Sequence, residues 1–107
     1  MEEQSVLKAL TALSQSHRLR VFRALVVAGQ AGLTPGLIAD ELQIPAATLS
    51  FHLKELVHAS MVTQVRSGRN LIYRADFDRM NELLAYLTEN CCQGESCHDP
   101  AQASCHC

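Results

Sequence analysis

A chain of 107 residues, 48% of them apolar, has room for one domain with a modest core and a tail. Its net charge of −2 does not by itself suggest a nucleic-acid partner. No window approaches the roughly 20 apolar residues of a membrane span, and the acidic start "MEEQSVLKAL" lacks the features of a secretory signal. The expected setting is therefore the cytoplasm, where thiols stay reduced and disulfide frameworks are rare.

Val6, Leu7, Leu10 and Leu13 recur at three- and four-residue spacing, which predicts a first helix over about residues 3–14. A second follows in "SQSHRLRVFRALVVAG". Ser16 is its expected cap, Leu19, Phe22, Leu25 and Val26 its apolar stripe, and Gly29 its end. In "LTPGLIADELQIP", Thr34 before Pro35 marks a third helix start, with Leu37, Ile38 and Leu42 facing inward. Ile44-Pro45 interrupts, and "AATLSFHLKELVHAS" makes a fourth helix, so these two have the size of a helix-turn-helix. The period then changes. Val62–Arg66 and Leu71–Arg74 are β-prone runs around Ser67-Gly68-Arg69-Asn70, which reads as a β-hairpin tip. Phe77, Met80, Leu84, Leu87 and Cys91 return to helical spacing and predict a last helix over about 77–91.

The order α-α-α-α-β-β-α is that of a winged helix-turn-helix, mainly α with one small β-hairpin. Residues 1–92 form the expected winged-helix DNA-binding domain, and residues 93–107 a Cys/His-rich tail. Charge is divided the same way. Residues 16–74 carry seven Lys/Arg against three acids, whereas residue 75 onward carries Arg79 against six acids. A basic middle permits nucleic-acid contact, although an ordinary solvated surface would look the same.

On the fourth helix, Leu49, Leu53 and Leu56 share one face with His52 beside them. His52 reads as a histidine at the core edge rather than a ligand. The opposite face carries Ala47, Phe51, Lys54 and His58, flanked by Thr48 and Ser50. Small, hydroxylic and basic side chains suit entry into a major groove, where hydroxyls bond base edges or phosphates. Phe51 stands where solvent is expected. It either meets a thymine methyl or packs on a neighbouring element. Arg66 and Arg69 flank Gly68, and basic wings reach phosphates or the minor groove. No phosphate loop, paired-acid set or Ser-His-Asp arrangement points to an enzyme.

The segments "ALSQSHRLRVFRAL", "IADELQIPAATLSFHLKELVHASMV" and "RSGRNLIYRAD" resemble the ArsR/SmtB family of metal-responsive winged-helix repressors over roughly residues 6–90. The resemblance implies a homodimer joined through its first and last helices. It also implies operator DNA as partner, and release on binding a metal or metalloid. It places Thr48, Ser50, Phe51 and Lys54 on recognition-helix positions and Arg66 and Arg69 on the wing. One departure matters. Arsenic sensors of the family carry a cysteine pair in the third helix, and "TPGLIADELQ" has none.

All five cysteines lie in the last seventeen residues, "CCQGESCHDPAQASCHC". The odd count and a reducing compartment disfavour disulfides. A short Gly-containing link lets Cys97 fold back on Cys91 and Cys92, so that three thiolates meet on one soft ion. Trivalent arsenic or antimony, which takes three sulfurs in a pyramid, is the expected inducer, and no organic cofactor is implied. A divalent soft metal completed by His98, Cys105, His106 or Cys107 is the alternative, as is thiol oxidation. Cys105 and Cys107 carry no assigned role.

Overall fold

The structure, a computed structural model, describes residues 1–94. Five helices and one hairpin follow in the expected order: α1 (Glu3–Leu13), α2 (Ser16–Ala28), α3 (Pro35–Leu42), α4 (Ala46–His58), β1 (Val62–Ser67), β2 (Asn70–Ala75) and α5 (Phe77–Leu87).

Each boundary has a local cause. α2 is capped by Gln15 rather than by Ser16. Gln15 is extended (φ −129°, ψ 134°), and its side-chain oxygen accepts from the Arg18 N–H at 2.9 Å, while Ser16 is already helical. The Thr34 hydroxyl accepts from the Leu37 N–H at 3.3 Å and opens α3, with Pro35 at a position that needs no donor. Gln43 turns the chain in the left-handed region (φ 55°), and the buried Ile44 pins the turn between α3 and α4. Arg20 donates from Nη2 to the Leu42 carbonyl at 3.2 Å, satisfying an orphan acceptor at the end of α3.

The core gathers one face of each helix. Val6, Ala9 and Ala12 come from α1, Val21, Phe22 and Leu25 from α2, Ile38 from α3, Leu49, Leu53 and Leu56 from α4, and Leu83 from α5. Met61, Val62 and Ala75 close it beneath the hairpin. Two inward assignments are corrected. Leu19 is 44% and Leu37 56% exposed, because the buried rows run through Val21–Phe22–Leu25 and Ile38 instead. On α5 the inward residue is Leu83, with Phe77 and Met80 packed at the core margin, whereas Leu84 and Leu87 face outward.

The wing is a two-stranded antiparallel ribbon in register from Val62↔Ala75 to Ser67↔Asn70, leaving Gly68-Arg69 as its two-residue tip. Gly68 has φ +63°, the conformation such tips require. The ribbon is not free at its base. Leu33, in the α2–α3 connection, pairs with Tyr73 through Leu33 N–H to Tyr73 carbonyl (2.9 Å) and Tyr73 N–H to Leu33 carbonyl (2.8 Å). Gly32 makes this approach possible. It has φ +68°, and a Cβ there would stand 2.5 Å from the Tyr73 carbonyl oxygen.

Candidate nucleic-acid interface and thiol site

The amphipathic division of α4 puts its two faces to different uses. Leu49, Leu53 and Leu56 are buried, while Ala47, Ser50, Phe51 and Lys54 are exposed and Thr48 is half-buried between them. Phe51 is 55% exposed, so its ring is not consumed by packing on another element. Its neighbour in the fold is the edge of the His52 ring, 5.5 Å away between centroids. Arg66 and Arg69 stand exposed at the end of the wing. The recognition face and the wing thus offer small, hydroxylic, aromatic and basic groups to solvent along neighbouring edges. This is the composition that major-groove entry with flanking phosphate contact requires.

The base of α4 is held by a polar contact that its apolar stripe does not reveal. Arg18 donates from Nε to the Ala12 carbonyl at 2.7 Å, and its Nη1 lies 3.4 Å from His52 Nδ1. A guanidinium only donates, so Nδ1 accepts and the ring proton sits on Nε2. Burial holds His52 below the ordinary histidine range, and the charges of Arg18 and His17 push the same way against the weaker opposing effect of Glu55. The expectation of a core-edge histidine is met. Its link to Arg18, 34 residues away, depends on the packing of α1, α2 and α4 and carries no local signal.

The thiol end differs from the expected continuation of α5. The helix stops at Leu87 rather than near residue 91. Thr88 caps it, its N–H bonding to the Leu84 carbonyl at 3.1 Å and its hydroxyl to the same carbonyl at 2.8 Å, while the Glu89 N–H bonds to the Tyr86 carbonyl. Asn90 then enters the left-handed region (φ 57°), and residues 91–94 form a short turn with Cys92 also at positive φ (52°). Thr and Asn compete with helical hydrogen bonds through their own side chains, which explains the early stop. Cys91 therefore does not extend the face of α5. It sits in the turn beyond, exposed like Cys92, with the two Sγ atoms 3.7 Å apart. Cys97, His98, Cys105, His106 and Cys107 lie outside the described residues. Among the described residues, no three His, Cys, Asp or Glu side chains converge on one point.

The family described as a helix-turn-helix domain matches residues 13–65, from the end of α1 into β1. An ArsR-like transcriptional regulator from Rhodococcus sp. RHA1 superposes with a TM-score of 0.74 at 23% identity, over 84% of this chain and 82% of that one. The crystal structure of a possible transcriptional regulator for arsenical resistance gives 0.64 at 26% identity, over 75% of this chain and 80% of that one. A homodimeric winged helix-turn-helix DNA-binding domain from Mycobacterium bovis, a possible ArsR-family regulator, gives 0.64 at 22%, over 90% and 89%. No curated protein matches.

The chain carries a helix-turn-helix domain within a winged-helix fold that is similar to those of ArsR-type transcriptional regulators.

The stretch that the helix-turn-helix family matches is the informative one. It spans the helix-turn-helix and the first strand of the wing, and so contains Ala47, Thr48, Ser50, Phe51 and Lys54. It stops short of the thiols. The candidate DNA-contacting face thus rests on comparison and geometry together, and the thiol end on its chemistry alone. No described helix is long and apolar enough to cross a membrane.

Proposed function

We propose that this protein is a homodimeric repressor that holds operator DNA through α4 and the wing. It lets go when trivalent arsenic or antimony binds Cys91, Cys92 and Cys97. The observation that carries the reading is the pair of exposed vicinal thiols, Sγ to Sγ 3.7 Å, at the end of the α5 segment. Two thiolates on one ion with metal–sulfur bonds of about 2.3 Å stand about this far apart. The separation suits zinc equally well, so the donor count supports the metalloid: three sulfurs complete a pyramid, whereas a tetrahedron needs a fourth ligand. Ala47, Thr48, Ser50, Phe51, Lys54, Arg66 and Arg69 are the DNA-contacting set, and the reduced thiols suit a cytoplasmic setting.

Dimerisation supplies the link between the two ends. Leu7 and Leu10 on α1 and Leu84, Tyr86 and Leu87 on α5 leave apolar surface uncovered. A mate's equivalent helices would bury it, and the relative from Mycobacterium bovis is described as homodimeric. An ion ordering the turn after α5 would then shift the helix pair and the spacing of the two recognition helices. A coupling of about 1–3 kcal/mol would weaken DNA binding some 5–150-fold.

The test is a gel shift on the region upstream of the gene, across arsenite, antimonite, zinc, cadmium and lead, with diamide as oxidant. Release by the two metalloids, lost when Cys91, Cys92 or Cys97 is changed to Ser while DNA binding is kept, supports the reading. Release by a divalent metal or by diamide alone would give the tail a different inducer.

A further inference from the structure

Between α4 and the base of the wing lies a cleft of about 240 Å³ lined by Ser50, Lys54, Val57, His58, Gln64 and Tyr73. Ser50, Lys54 and His58 recur every four residues and so form one row along the helix. Gln64 and Tyr73 are direct cross-strand partners on the hairpin, which brings both to the same level opposite that row. Each of the five polar side chains can donate a hydrogen bond, Lys54 adds a positive charge, and none of the six is acidic. Glu55, the carboxylate of α4, lines a neighbouring cavity on the α1 side together with Lys8 and Arg18, and His58 stands between the two. The far wall is held in place, since both backbone groups of Tyr73 are bonded to Leu33.

A cleft rich in donors, free of acids and continuous with Ser50 and Lys54 of the reading face matches an anion bearing several acceptor oxygens. We infer that it seats one backbone phosphate of the bound duplex. Lys54 is its counter-ion, and Ser50, His58, Gln64 and Tyr73 are its hydrogen-bond donors. The inference rests on the DNA-binding reading and adds a division of labour to it. Ala47, Thr48 and Phe51 at the start of α4 face the bases. The cleft at its other end fixes the register of the helix on the duplex, because phosphate contacts position without specifying sequence. His58, Gln64 and Tyr73 thereby join the interface as positioning residues.

The test measures binding of the full chain to two labelled duplexes, one of arbitrary sequence and one from upstream of the gene, across a salt series. Gln64→Glu places a carboxylate at an exposed position with little change of shape. It should weaken both duplexes by about tenfold or more. Lys54→Met should make the log–log salt dependence shallower by about 0.9 on both, the signature of one lost phosphate contact. Circular dichroism confirms that each variant is folded. If both variants bind both duplexes as the unaltered chain does, or weaken only the upstream duplex, the phosphate assignment is overturned while the DNA-binding reading stands. If the unaltered chain binds neither duplex, the DNA-binding reading itself has failed.

Discussion

The recognition helix and the thiol end are both exposed and both carry the chemistry of the molecule, yet they are held in opposite ways. α4 is anchored by three fully buried leucines, by His52 against Arg18, and by the buried Ile44 in the short turn before it. The thiol end follows a helix whose last residues, Tyr86 and Leu87, are already exposed, and its backbone passes through three left-handed residues at Asn90, Cys92 and Gln93. A reading head gains from arriving pre-shaped, since ordering it on DNA would cost affinity. A sensing end gains from being the part that an ion can reorganise, since only a difference between two states transmits a signal.

Three measurements would break or sharpen this contrast. The largest effect belongs to the wing anchor. Gly32→Ala forces a side chain into a positive-φ position and against the Tyr73 carbonyl. It should destabilise by about 3 kcal/mol and lower the melting temperature by roughly 10 °C or more. An unchanged melting temperature would mean that the Leu33–Tyr73 bridge contributes nothing. A smaller effect comes from protonation of His52. Its folded value lies below 6.5, so the unfolded chain takes up the proton first as pH falls. Stability should be complete above 6.5 and decline as pH drops through the folded value, and His52→Gln should flatten that part of the profile in urea denaturation. The smallest effect is expected at the thiols. Cys91→Ser and Cys92→Ser should leave the denaturation midpoint of the ion-free protein within about 0.5 kcal/mol of the original, because both side chains are exposed. A larger loss would show that the turn after α5 is structural in its own right.

The same contrast explains what could be read in advance. α4 was legible because Leu49, Leu53 and Leu56 keep helical period against a polar opposite face, and the hairpin because Gly68 sits between two β-prone runs. The end of α5 was misplaced because the spacing from Leu84 through Leu87 to Cys91 keeps helical period, while the chain obeys the capping hydroxyl of Thr88 and the turn at Asn90. Periodicity reports which residues would share a face if the helix continued, and it is silent on whether it does. Leu19 and Leu37 stand with apolar neighbours of the same helix and so read as inward, yet each sits beside the row that is buried. The Arg18–His52 contact and the Gln64–Tyr73 cleft needed the tertiary arrangement, since each joins segments far apart in the chain or paired only through strand register.

Asp76 is the single residue between the wing and α5. Ala75 closes the ladder opposite Val62, and Asp76 caps the helix through the Arg79 N–H while its own N–H bonds to the Met61 carbonyl. The joint therefore behaves as a spacer of set length. One residue added in the first turn of α5 would rotate everything after it by about 100°. That would swing Leu83 out of the core and aim the thiols at a different quarter of the molecule. One residue added at Gly68 would alter only how far the wing extends. Descendants of this chain are thus free to vary in the length of the tip, whereas the count between Ala75 and Leu83 is held constant by what hangs on either side of it.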